Sequence, residues 1–156
     1  MNSDLANVLG NFVNRITKYT ASKFDGEVPS TGAPGEAEAW MADELKTRLA
    51  SIIANYEAME FRKAASETRA LWAAGNEYLT KAEPWVKYKT DVDAAAVGAR
   101  TGLNLAAVFG IIAQPLIPNA AKQILDALGI PGIKGVYCHP AVSGGLGMTV
   151  ISLEQL

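Results

Sequence analysis

Up to residue 130 the chain holds no segment that alternates apolar and polar residues with the period of two a half-buried strand needs. Its apolar residues instead recur every three or four positions, the spacing of one face of an α-helix. In the first such run Leu5, Val8, Leu9, Phe12, Val13 and Ile16 form a single stripe, so the spacing predicts a helix opening at Ser3 or Asp4 and ending near Phe24. The segment DGEVPSTGAPG, residues 25–35, carries every turn signal and is expected to be a loop. Further helices are predicted over 36–57, 60–81, 92–113 and 119–128, with Gly129 as the C-cap of the last. Core candidates are Trp40, Leu45, Leu49, Ile52 and Ile53 on the second helix, and Phe61, Ala64, Ala65, Thr68, Leu71, Trp72 and Leu79 on the third. The expected fold is therefore all-α, an antiparallel bundle of about five helices over residues 1–129. Residues 130–156 are glycine-rich and lack the period; they read as an irregular tail, with MTVISL as one short strand or a mobile extension.

A chain of 156 residues with 49% hydrophobic and 19% charged residues suits one soluble domain with a single sizeable core. The apolar run LNLAAVFGIIAQPLIP (103–118) contains Asn104 and is broken by Pro115 and Pro118, which favours a buried core helix over a membrane span. The first apolar residues are interrupted by Asn7, Asn11, Asn14 and Arg15, unlike a signal peptide, and the lone Cys138 fits a reducing, cytoplasmic setting. A net charge of −2 gives no overall attraction for nucleic acid, so any RNA-binding surface must be locally positive.

Little points to catalysis. The only histidine, His139, is sequence-adjacent to Cys138, and neighbours in sequence do not generally present a nucleophile and its base together; no zinc-ligand spacing exists. SGGLG (143–147) lacks the lysine, hydroxyl residue and helix start of a phosphate loop. Asp43, Glu44 and Glu57 fall on amphipathic helices as solvated faces.

Two features stand out. Asp4, Asn7, Asn11, Arg15 and Lys18 form a polar stripe beside the apolar one, with Asn11 and Arg15 one turn apart. Three asparagines in one helix cost propensity. They are either surface residues bonded between helices or amides kept to donate and accept towards a base edge, next to an arginine that can fork or stack. In AEPWVKYK (82–89), Pro84 suits a first helical turn, and Trp85 lies among charges. Its ring is either a core plug or a stacking platform. In the second case Lys81, Lys87 and Lys89 are placed to meet phosphates.

DLANVLGNFVNR (4–15) resembles the opening of the anticodon-binding domain of methionyl-tRNA synthetases, and GNEYLTKAEPW (75–85) resembles that family's later asparagine–tyrosine…proline–tryptophan signature. Order, spacing and intervening helices agree over about residues 4–128. The resemblance implies a helical bundle that follows a class I catalytic domain and recognises the CAU anticodon of methionine tRNA. It matches Asn11 and Arg15 to the residues that read the anticodon and Trp85 to the tryptophan that stacks on an anticodon base. By the same resemblance Pro84 would orient that ring and Asn7 would support it. The chain carries neither the HIGH-type nor the KMSKS-type signature, nor a zinc-knuckle cysteine set. ATP and methionine would then bind a class I catalytic domain supplied in cis or in trans, and this chain would hold no cofactor and have no membrane or DNA partner. The rival reading is a non-catalytic protein-interaction bundle derived from this domain; a helical enzyme with an unrecognised site is a weaker one.

Overall fold

A computed structural model describes residues 5–130. The expected cap at Ser3 or Asp4 lies outside these residues. So do Cys138, His139, SGGLG and the MTVISL strand.

Among the described residues every regular element is helical. A π-helical turn, Leu5–Gly10, runs directly into α1, Asn11–Lys23. It is followed by α2 (Glu36–Glu57), α3 (Phe61–Ala82), the single turn α4 (Pro84–Lys87), α5 (Val92–Ala113) and α6 (Pro118–Ala127). The sequence spacing located the five longer helices to within a few residues. The π turn was not expected. Its wider loop takes Asn7 out of the four-residue register that relates Asn11 to Arg15. Asn76 of α3 grips this turn, its Nδ2 donating to the Val8 carbonyl at 3.0 Å and to the Trp72 carbonyl at 3.1 Å.

Helices α2 and α3 pack as a hairpin, and α5 packs on α1, α3, α4 and α6. By length and composition α5 could cross a bilayer, but most of its apolar window is buried by these neighbours, which makes it the central core helix. Small residues allow that position. Gly75 of α3 lies where a Cβ would sit 2.6 Å from the Phe109 ring, and Gly102 of α5 lies as close to Ile16. The Phe12 and Phe109 rings meet there at 5.0 Å, tilted by 55°. Each large apolar side chain buried in this way stabilises the fold by about 1.5–3 kcal/mol.

The ends are fixed by local chemistry. Asp91 accepts a bond from the Ala94 N–H at the start of α5. At the end of α6, Gly129 takes φ +67° while the N–H groups of Gly129 and Ile130 bond to Asp126 and Leu125. That is the left-handed glycine stop the sequence led us to expect. Glu38 joins two helices: Oε2 accepts from the Gly35 N–H at 2.8 Å, and Oε1 accepts from the buried Tyr78 hydroxyl at 2.7 Å. Burial, then Glu38, drives the Tyr78 phenol far above its ordinary pKa, so it remains a donor. The 25–35 loop is held by Arg100, whose guanidinium donates to the carbonyls of Pro29 (3.0 Å), Thr31 (3.1 Å) and Gly32 (3.4 Å).

Two core expectations fail. Ile53 is 43% exposed: about 100° round α2 from the buried Ile52, it falls outside the stripe of Met41, Leu45 and Ile52 that this helix buries. Phe61 is 60% exposed: it begins α3 at the tip of the α2–α3 hairpin, where its ring rests on Tyr56 (centroids 6.2 Å apart) and not on the bundle.

Candidate nucleic-acid interface

The surface around Trp85 is built by a forced helix stop. A residue preceding proline disfavours the right-handed helical conformation, so α3 ends at Ala82; Glu83, between the two helices, lies in the left-handed region (φ 42°, ψ 52°). The Glu83 carbonyl then accepts from Val86 and Lys87, closing the one-turn α4 with Pro84 at its start, as the sequence suggested. Pro84 is buried. It sits in a notch on α5, where a Cβ on Gly98 would come within 2.9 Å of the Pro84 Cβ.

This turn carries Trp85 to the flank of α1. The indole is half-buried and packs in part against the core, so it is neither a full plug nor a free ring. The Arg15 guanidinium lies over its face, 4.7 Å from the centroid. Tyr19 meets it edge-on at 6.4 Å and 85°, and the Tyr19 hydroxyl donates to the Pro84 carbonyl at 2.7 Å. Burial, and secondarily the neighbouring Tyr88, pushes the Tyr19 phenol up to about 12, so it stays protonated at neutral pH. Edge-on contacts continue from Tyr19 to Phe24 and from Phe24 to Tyr88, and the Lys23 ammonium lies over Tyr88.

Asn11 is exposed one turn before Arg15 on α1, so these two and Trp85 share one side of the bundle. Asn7 is exposed on the π turn. Lys89 is exposed and Lys87 half-buried at the end of the Trp85 turn. Lys81 is directed elsewhere: its Nζ pairs with Glu77 at 3.0 Å and lies 3.6 Å from the Trp40 ring on α2. Along α1 the sequence has Arg15, Lys18 and Lys23 and no carboxylate, so this helix is locally cationic in a chain of net charge −2, with the exposed Glu83 beside the Trp85 turn.

Sequence reasoning overlooked Tyr19 and Gly98. Tyr19 lies four residues after Arg15, an aromatic extension of the stripe Asn11–Arg15, and that spacing was the available signal. Nothing marks Gly98 among the small residues of α5.

The chain matches a family model described as the anticodon binding domain of methionyl tRNA ligase over residues 28–136, which includes Pro84 and Trp85 but begins after Asn11 and Arg15. It is 79% identical over 131 residues to a methionine–tRNA ligase of Maricaulis maris and 78% identical over 131 residues to that of Hyphomonas neptunium. These alignments take in 84% of this chain and 23% of each relative, so the chain spans about a quarter of their length. The crystal structure of apo Mycobacterium tuberculosis methionyl-tRNA synthetase superposes with a TM-score of 0.75 at 26% identity, over 90% of this chain and 29% of that one. The methionyl-adenylate-bound form of the same synthetase gives the same values. Fold and relatives together define a helical anticodon-binding domain of the aminoacyl-tRNA synthetases. Within that class, the chain belongs to the anticodon-binding domains of methionyl-tRNA ligase.

Proposed function

We propose that the face formed by α1 and α4 recognises the CAU anticodon of methionine tRNA. The observation that carries this reading is the Arg15–Trp85 stack with Asn11 one turn away, at the cationic helix α1 of a domain of this family. A splayed anticodon base takes the indole face that the guanidinium covers in the free chain, and Arg15 moves to the edge of the base. Asn11, with both donor and acceptor, and Arg15, with its fork of donors, then read polar base edges. Pro84 fixes the turn, Asn7 supports the approach along the π segment, and Lys87 and Lys89 meet the phosphates. Lys81 joins them only by leaving Trp40 and Glu77.

The chain supplies substrate selection in cytoplasmic protein biosynthesis. Methionine activation with ATP belongs to a class I catalytic domain in cis or in trans, and the chain alone does not aminoacylate. Titration of the chain with a CAU stem-loop and an anticodon-altered stem-loop at two salt concentrations tests this. The CAU hairpin is expected to bind more tightly, with affinity falling as salt rises. Trp85→Ala removes a stacking interaction of about 1–3 kcal/mol and should weaken the CAU complex by about five- to 150-fold. Equal affinity for both hairpins overturns the proposal. A Trp85→Ala chain that melts much lower yet binds as before assigns the ring to the core instead.

A further inference from the structure

We infer that Tyr19 is a positioning residue for the Trp85 platform and, through it, a determinant of which base the platform accepts; this rests on the anticodon reading above. A single helical turn has no stability of its own, because the cost of nucleation is not recovered over four residues. The orientation of the indole on α4 must therefore come from outside the turn, and the structure shows where. From α1, the Tyr19 hydroxyl donates to the Pro84 carbonyl across 65 residues of sequence, at 2.7 Å. The same carbonyl accepts from the Tyr88 N–H at 2.9 Å, so both its acceptor positions are used. From α5, the bare Gly98 backbone lets the Pro84 ring seat closely. The Tyr19 ring then meets the indole at 85° and leaves the indole face to Arg15.

The consequence is angular. Asn11, Arg15 and Tyr19 lie four residues apart on α1, so the groups that read the base and the group that fixes the platform share one rigid rod. Tyr19 thus sets the height and tilt of a stacked base relative to Asn11 and Arg15. A base stacked at the wrong tilt still gains stacking energy but misses the edge hydrogen bonds. Loss of the Tyr19 hydroxyl should accordingly cost discrimination more than general affinity.

Tyr19→Phe keeps the ring and removes the bond. Dissociation constants of the 156-residue chain and this variant for a CAU and a UAU stem-loop, measured alongside urea unfolding midpoints, provide the test. The variant should bind CAU roughly fivefold more weakly, about the worth of one neutral hydrogen bond, and UAU as before, so that the ratio collapses. Gly98→Ala, which displaces Pro84 from the opposite side, should lower the ratio in the same direction. An unchanged CAU/UAU ratio in a folded Tyr19→Phe chain overturns the assignment, whatever happens to stability. If Tyr19→Phe fails to fold, an unchanged ratio in Gly98→Ala does so. A wild-type chain that shows no preference for CAU overturns the anticodon reading, and the role of Tyr19 falls with it.

Discussion

Gly75→Ala should destabilise the bundle although alanine is the better helix former. An alanine Cβ there would lie 2.6 and 2.7 Å from two carbons of the Phe109 ring and 3.2 Å from Phe12. Non-bonded carbons prefer about 3.5–4.0 Å, so the overlap is close to 1 Å. Phe12 and Phe109 are fully buried and packed on each other, which leaves the rings no open space to enter. Overpacking of this kind costs about 1–3 kcal/mol, and rigid rings place this site at the upper end. Alanine recovers about 1 kcal/mol of helix propensity over glycine. The net loss is then about 2 kcal/mol, or roughly 8 °C in melting temperature for a domain of this size. Thermal and urea unfolding followed by far-ultraviolet circular dichroism would measure it. Phe109→Leu shrinks the offending ring, so it should cost at least about 1 kcal/mol less in the Gly75→Ala background than in the wild type. A Gly75→Ala chain that melts at or above the wild type, or a strictly additive double variant, would refute the close-approach account of the α1–α3–α5 junction.

Two further outcomes are expected. The Tyr19 phenol is raised from 10.0 to about 12 in the folded chain, so folding favours its protonated form; the stability this contributes is complete below about pH 10 and is lost as pH rises through about 12. Tyr78 shifts in the same direction. The urea midpoint should therefore drop across that alkaline window, and less steeply in Tyr19→Phe; identical slopes would contradict the burial of this hydroxyl. Arg100→Lys cannot reproduce a fork shared among the Pro29, Thr31 and Gly32 carbonyls. Hydrogen–deuterium exchange should quicken across residues 29–35 with a global loss of only about 1 kcal/mol, and unchanged loop exchange would show that Arg100 does not hold it.

Much of the fold was legible because helices announce themselves locally. The stripe Val8–Leu9–Phe12–Val13–Ile16, the stop at Gly129 and the start at Pro84 each follow from residues within a turn or two of one another. The π turn was not legible, since one of the contacts that hold it comes from Asn76, 68 residues away from Val8. Nor was the exposure of Phe61, which has a core residue's chemistry at a place where the bundle has ended.

The site divides in the same way. Its parts list was in the sequence: an amide and a guanidinium one turn apart on α1, and a tryptophan behind a proline that stops α3. The sequence left open whether that tryptophan was plug or platform, because burial depends on what arrives from elsewhere in the chain. The tertiary structure fixes how far the ring is buried. Gly98 admits Pro84, Tyr19 holds its carbonyl, and Arg15 covers the indole face, which leaves the ring half in the core and half beside the cationic α1. Periodicity and caps are properties of neighbours along the chain. The orientation of a ring is set by packing between helices that only folding brings together.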